Sequence, residues 1–288
     1  MGFRDRADGV LLTKVSGFRK MWPFVIISRM EATVYSSFRI RLKNTLDWLE
    51  RTNAGREDQI TLFHVILAAC VRMLALRPDL NRFVAGRRFY QRRTINISFV
   101  VRREKTEKST ETNLKLTFDP FSTLETIARQ TEAAIQSTQK SRTSHDETMS
   151  NVLTSTPRFM IQLLMRAGRL LDYFGLLPAS YIRKDSMFAS AFVAHLGSID
   201  LDAIYHPMFE WGNASFFLVV GKRKREPVLN ELDEIRVEEV MNITFSQDQR
   251  ITSGFHFASA AALFIDLIEN PEALMKKPEN LPDPFIMT

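Results

Sequence analysis

Five histidines, one cysteine and one polar turn are the places in this 288-residue chain where chemistry could sit. An imidazole titrates near neutral pH and can take or give a proton, and a thiolate can attack a carbonyl. The cysteine, Cys70, lies inside the apolar run FHVILAACVRML, which makes it a buried helix position rather than a nucleophile. Being single, it forms no internal disulfide, and a reducing cytoplasm fits it. His64 shares that run and reads as a hydrogen-bonded core histidine. His145 falls in a polar loop and reads as solvated, and His206, in IYHPMF, reads as a packed or interface residue. His195, in VAHLG, and His256, in SGFHFA, stand beside Leu-Gly and Ser-Gly turns, where a base would be presented. No histidine stands with Cys, Asp or Glu at metal-ligand spacing, so no metal site is expected. No glycine-rich phosphate loop is present either, since VAGRR reads as a simple turn.

The elements that must position these groups follow from periodicity. FSQDQRITSGFHFASAAALFIDLIENPEAL, Phe245 to Leu274, reads as a buried strand, a tight polar turn and a long apolar helix. Leu62 to Arg77 reads as a core helix that stops before Pro78. RLKNTLDWLERTN carries Leu42, Leu46 and Leu49 at helical spacing. A further helix is expected after Asp119 or Ser122 as its cap. Strands are expected from Phe24, over Thr94–Val101, and in TNLKLTF, FASAFVAHLGSIDL, ASFFLVVGKRK and VEEVMNITFSQDQR. This order favours a mixed α/β chain with one large sheet. The domain boundaries expected are an N-terminal arm over 1–20 and one domain over 21–288, with a helical insertion at about 140–188.

Composition sets the outer limits. Hydrophobic residues at 45% and charged residues at 25% are ordinary for a globular chain and exclude global disorder. The formal charge of +6 gathers in GKRKREP, AGRRFYQRR and the first twenty residues. Such clusters fit phosphates or an anionic membrane, but no nucleic-acid motif accompanies them, and a solvated surface is the plainer reading. Charges at Arg4, Asp5, Arg6 and Asp8 come before any apolar run, so no signal peptide is expected. Arg6 also stands where a myristoylation site needs Ser or Thr.

Three segments in order resemble the catalytic domain of the dihydrolipoyl acyltransferases and of chloramphenicol acetyltransferase. They are Thr61–Val101, with PDLN closing a core helix; Ala194–Val228, with its HLG turn and VVGKRKREPV strand; and the Phe245–Leu274 stretch. The resemblance implies a two-layer α/β fold, a large mixed sheet with helices packed on one face. It also implies a homotrimer with sites between subunits, and coenzyme A as acyl donor or acceptor. The chain starts at the catalytic domain with no lipoyl domain, which makes it similar to a free-standing trimer.

The family's turn reads HHxxxDG or DHRxxDG, with one histidine as the base. Here it reads Asp248-Gln249-Arg250-Ile251-Thr252-Ser253-Gly254. Gln249 holds the base position and Ser253 the aspartate position. A carboxamide has no useful proton affinity at neutral pH, although it can hydrogen-bond a carbonyl or a water. Asp248, Arg250 and Gly254 are retained, and a structural role is expected: an ion pair across an interface or sheet edge, and a turn needing glycine's freedom. The base, if kept, is then His256 or His195. The family's oxyanion-stabilising serine falls on Ala194, with Ser190 and Ser198 nearby. Two readings stay open: an acyltransferase with a remodelled site built from Gln249, Ser253, His256 and His195, or an inactive trimeric scaffold that binds acyl-CoA, a lipid or a partner.

The insertion holds RFMIQLLMRAGRLLDYFGLLP, in which Arg166, Arg169 and Asp172 break any uncharged span of roughly 20 residues. It is therefore either a helix packed on the trimer core, or a basic amphipathic surface over about 158–178 that touches a membrane or lines an acyl channel. The location expected is the cytoplasm, at most peripheral to a membrane.

Overall fold

Alternation along FFLVVGKRKREPVL and IRVEEVMNITFSQD gives the two longest strands of the molecule, and they pair with each other along nearly their whole length. The computed structural model describes residues 5–102, 111–140, 156–229 and 233–284. Within these, β1 is Gly9–Leu11, β2 Thr33–Arg41, β3 Arg82–Ala85, β4 Arg88–Arg92 and β5 Ile95–Arg102. The series continues with β6 Glu111–Phe118, β7 Ala191–His195, β8 Phe216–Leu229 and β9 Ile235–Asp248. The helices are α1 Gly17–Val25, α2 Lys43–Asn53, α3 Leu62–Leu76, α4 Leu124–Lys140, α5 Arg158–Phe174, α6 Ala179–Lys184 and α7 Gly254–Glu269.

Six strands form one mixed sheet in the order β2-β9-β8-β7-β5-β6, with β7 parallel to both β5 and β8 and every other pair antiparallel. β1, β4 and β3 make a separate small sheet. Residues of α2, α3, α4 and α7 join the inward side chains of the large sheet, Phe216, Leu218, Val220, Ile243 and Phe245 among them, in one core. α3 is buried on nearly every side, Cys70 included, and burial pushes the Cys70 thiol up. The fold class expected from the sequence holds: mixed α/β, with the helices over one face. The other face is covered near Phe192 and Phe217 by Met208 and the aromatic residues His206 and Phe209.

Several local expectations need correction. The stretch after Phe24 is not yet strand: Ser16 caps α1 by accepting from Arg19 N, and Phe18, Met21, Trp22 and Val25 fall at helical spacing. Strand begins only at Thr33. Neither Asp119 nor Ser122 caps α4; Thr123 Oγ1 accepts from Thr126 N instead, while the Asp119 carboxylate accepts from Phe121 N. Residues 5–20 are knitted into the fold, because β1 pairs with β4 and Arg6 is buried between Asp8 (3.0 Å) and Asp172 (2.6 Å). At the β3–β4 turn Gly86 and Arg87 both have positive φ, and a Cβ on Gly86 would sit 2.1 Å from the Tyr173 carbonyl oxygen, so this turn needs its glycine.

The basic runs are largely spoken for. Lys224 bridges Asp202 (2.7 Å) and Glu226 (2.8 Å), and Lys222 reaches Asp200 at 3.3 Å. Arg92 is buried against Asn213, and Arg93 meets Asp5 at 2.9 Å. These contacts engage part of each of these two basic runs from within the chain. On β6, Lys115 Nζ donates to the carbonyls of Ile182 and Asp185, tying the end of α6 to the sheet edge. Burial, with Arg92 nearby, brings its amine down to about 8. No helix among the described residues is long and apolar enough to cross a membrane.

Candidate functional site

β9 runs out of partners at Asp248, opposite Thr33 of β2, and the chain must turn there to enter α7. The turn is built by its own side chains. Asp248 accepts from Arg250 through the backbone N–H (3.0 Å), Nε (2.8 Å) and Nη2 (2.7 Å), and Arg250 Nη1 donates to the Ile26 carbonyl. Both residues are buried, at 2% and 6% exposure. The expected ion pair is therefore real, but it closes the chain's own turn rather than crossing an interface or sheet edge. Gln249 N donates to Ala32 O at 2.9 Å, which straps the turn to the residue before β2. The Gln249 side chain is half-buried and has no hydrogen bond among the described residues.

Ser253 is the N-cap of α7: its Oγ accepts from His256 N at 3.3 Å. That use explains a hydroxyl at a position where the family turn has a carboxylate, since Ser and Asp serve equally well as caps. Gly254 is corrected. It does not adopt a left-handed φ and a Cβ there would meet open space, so the turn itself does not need glycine at this position.

His256, in the first turn of α7, is the histidine that acquires a partner. Its Nδ1 lies 2.9 Å from Asp79 Oδ2, and a carboxylate only accepts, so Nδ1 carries a proton and, in the neutral ring, Nε2 carries the lone pair. Asp79 comes from the turn that ends α3 and is itself held by buried Arg82 at 2.6 Å. The pair lines a cavity of about 340 Å³ with Arg77, Thr252, Phe255 and Ser259. Ser259 Oγ accepts from Arg77 (3.3 Å), whereas the buried Thr252 hydroxyl has no hydrogen-bond partner among the described residues. Phe255, 81% exposed, forms an apolar lip. A base held by a carboxylate, with an arginine on the same cavity wall, can deprotonate an acceptor and face a developing oxyanion.

The other expected site residues lie elsewhere. His195 ends β7 opposite Val220, which in turn faces Ile243 of β9, so it stands about 20 Å along the strand direction from the turn. Its ring stacks on Phe63 (5.3 Å between centroids), and burial holds its imidazole below the ordinary value. Ser190 Oγ accepts from Asn96 N and Ser198 Oγ donates to the His195 carbonyl, so each is engaged in local structure. His206 stacks on Phe217 (4.6 Å), as expected of a packed residue. His64 sits in the first turn of its helix, in a reciprocal cap with Thr61, and burial lowers its imidazole against the pull of Glu132. His145 lies outside the described residues. Among the described residues no three His, Cys, Asp or Glu side chains gather as a metal site.

Sequence reading found His256 but missed Asp79, Thr252 and Arg77. Asp79 is 177 residues away in the chain, and no local spacing announces the contact. Ser259 had a signal, standing three residues after His256 on one helical face.

Residues 179–276 match the family model of the 2-oxoacid dehydrogenases acyltransferase (catalytic domain). No curated protein matches the chain by sequence. Among solved structures, a probable dihydrolipoamide acetyltransferase from Listeria monocytogenes 4b F2365 is similar at a TM-score of 0.59 and 14% identity, over 88% of this chain and 92% of that one. The cubic core of a pyruvate dehydrogenase multienzyme complex gives 0.60 and 15%, over 84% and 83%. A dihydrolipoamide acetyltransferase of Azotobacter vinelandii, determined to examine a serine, a histidine and an asparagine in its mechanism, gives 0.60 and 14%, over 88% and 90%. The resemblance read from three ordered segments therefore holds: the chain carries the 2-oxoacid dehydrogenase acyltransferase catalytic-domain signature over its C-terminal third, on the fold those acetyltransferases share.

Proposed function

We propose that this protein is a coenzyme A-dependent acyltransferase whose base has moved from the turn to the cavity beside it. The His256–Asp79 pair carries the proposal. The acyl donor is an acyl-CoA thioester, and the acceptor is a hydroxyl or thiol compound. His256 Nε2 takes the acceptor's proton as its oxygen or sulfur bonds to the thioester carbon. Arg77, on the same cavity wall, stands ready to stabilise the oxyanion. The carbon–sulfur bond then breaks, and the proton passes from His256 to the departing thiolate. By analogy with the multienzyme cores of similar fold, the working assembly is a homotrimer with sites between subunits, in the cytoplasm and without a nucleic-acid partner. His195 would then lie near a site only through a neighbouring subunit.

One set of observations favours a second reading, a trimer that binds acyl-CoA without turnover. Gln249 has no proton affinity, Ser253 is spent on the cap, and Ala194 has no hydroxyl. Thermal stabilisation by a panel of acyl-CoA thioesters, followed by an assay of free thiol release with candidate acceptors, separates the two. Stabilisation with release supports the transferase. Stabilisation without release supports the binding protein, and neither result would leave both without support.

A further inference from the structure

Two helices of this chain wear their apolar faces outward. In α5 no residue is buried, and Phe159, Leu163, Leu170 and Phe174 are each at least 60% exposed. The side turned to the body is a narrow mixed stripe: Ile161, Met165, Gly168 and Asp172 are the half-buried positions. Gly168 lies against Trp211, where a Cβ would come within 3.1 Å of the ring, and Asp172 is gripped by buried Arg6. The helix is thus anchored by an ion pair and a glycine contact, while its leucines face away. α1 repeats the pattern, with Pro23 its sole buried residue and Phe18, Met21, Phe24 and Val25 exposed.

These two faces adjoin. Pro23 and Ile27 from α1's end, Arg87 of the β3–β4 turn, and Arg169 and Tyr173 of α5 line one cleft of about 280 Å³. Arg87 lies over the Phe24 ring at 5.1 Å. Along the two helices the exposed charge is cationic, and the exposed carboxylates nearby, Glu31 and Glu210, each accept from a backbone N–H beside the cleft. α5 presents Arg158, Arg166 and Arg169 outward, and its one carboxylate, Asp172, is turned inward and paired. α1 presents Lys20 and the half-buried Arg19, and no acid occurs between Lys14 and Arg29. The other carboxylate in the cleft, Glu210, accepts from Met30 N.

From this we infer that the α1–α5 face docks on an anionic phospholipid bilayer. The apolar stripes enter the boundary between headgroups and acyl chains, the arginines and Lys20 extend to lipid phosphates, and Trp22 and Tyr173 occupy the interface. Charge decides between this occupant and a second copy of the chain. A two-fold contact of this patch with itself would bring arginine against arginine, and a three-fold contact would need an acidic apolar surface elsewhere on the chain, whereas an anionic bilayer supplies apolar depth and phosphate at the rim together. The inference does not rest on the acyltransferase reading, and its test needs no turnover.

The test is flotation of the full-length protein with phosphatidylcholine vesicles and with mixed phosphatidylcholine–phosphatidylglycerol vesicles, paired with sedimentation without lipid. The wild type is expected to float with the anionic vesicles and not with the neutral ones. Replacing Arg158, Arg166 and Arg169 together by Gln weakens that binding by about two orders of magnitude. Leu163→Glu with Leu170→Glu abolishes it while leaving the thermal midpoint and the sedimenting species unchanged, since both leucines are exposed. Equal binding to both vesicles, no binding to either, or a smaller sedimenting species for the leucine variant would overturn the inference, the last by making this face a contact between copies.

Discussion

The turn at 248–253 and the cavity beside it share the end of one strand and the start of one helix, yet they differ in what their polar groups do. In the turn, every charge is satisfied from within. Asp248 and Arg250 close on each other, Ser253 closes the helix, and Gln249 can hydrogen-bond but cannot take a proton. Beside the cavity, His256 is oriented through Nδ1 by Asp79, which leaves Nε2 free of any partner among the described residues. The residues that shape this turn are thus not the ones placed to move a proton. The difference also says where to look for residual chemistry: one helical turn past the motif.

Substitutions can break this comparison, and the largest effect belongs to the cavity. His256→Gln should lower thioester cleavage by about 10²–10⁴-fold, the range that loss of a positioned base brings, while stability changes by no more than about 1 kcal/mol. Steady-state thiol release and urea denaturation read the two quantities separately. In the turn the pattern inverts. Asp248→Asn leaves the buried Arg250 guanidinium without its countercharge and should cost about 3–5 kcal/mol in urea unfolding. A stable Asp248→Asn variant would show that the ion pair is not what holds the turn.

Titration sharpens the comparison by adding a site remote from both regions. Lys115 lies on the sheet edge opposite β2, with its amine brought down to about 8 from an ordinary 10.5. Below pH 8 the amine is protonated in both states and the folded chain bears the burial cost. Between 8 and 10.5 only the unfolded chain holds the proton, so stability should rise with pH across that window. Lys115→Met should flatten the rise in unfolding experiments, and His256→Gln should not. The smallest effect is assigned to Gln249 in the turn: Gln249→Ala should change thiol release by no more than about twofold, because a carboxamide transfers no proton and this residue does not line the cavity.

Much of the fold was legible in the sequence because long elements announce themselves by period. α3 and α7 read as apolar helices, β9 as an alternating strand and β8 as a strand, all four near their observed places, although β8 runs five residues past the expected end. α1 was misread because Phe24–Ile27 is rich in β-branched and aromatic residues, a strand preference overridden by the Ser16 cap and the helical spacing before it. β1 and β3 are too short to show a period at all. The site divides in the same way. Its turn could be read from seven consecutive letters, and His256 from its place after them. Asp79 could not be read, since only the packing of α3's end against α7's start brings it to the imidazole. α5 illustrates a third limit: periodicity reveals that a helix has two faces, and only the folded chain reveals which one is turned outward.

The account's central claim is that the cavity, not the turn, receives the thioester, and nitrogen-15 spectroscopy of histidine-labelled protein tests it most directly. On titration with a non-hydrolysable thioether analogue of acetyl-CoA, the His256 Nε2 resonance should shift in a saturable way while His195 stays within its unliganded range. Saturable binding of the analogue with an unmoved His256 resonance would contradict the claim.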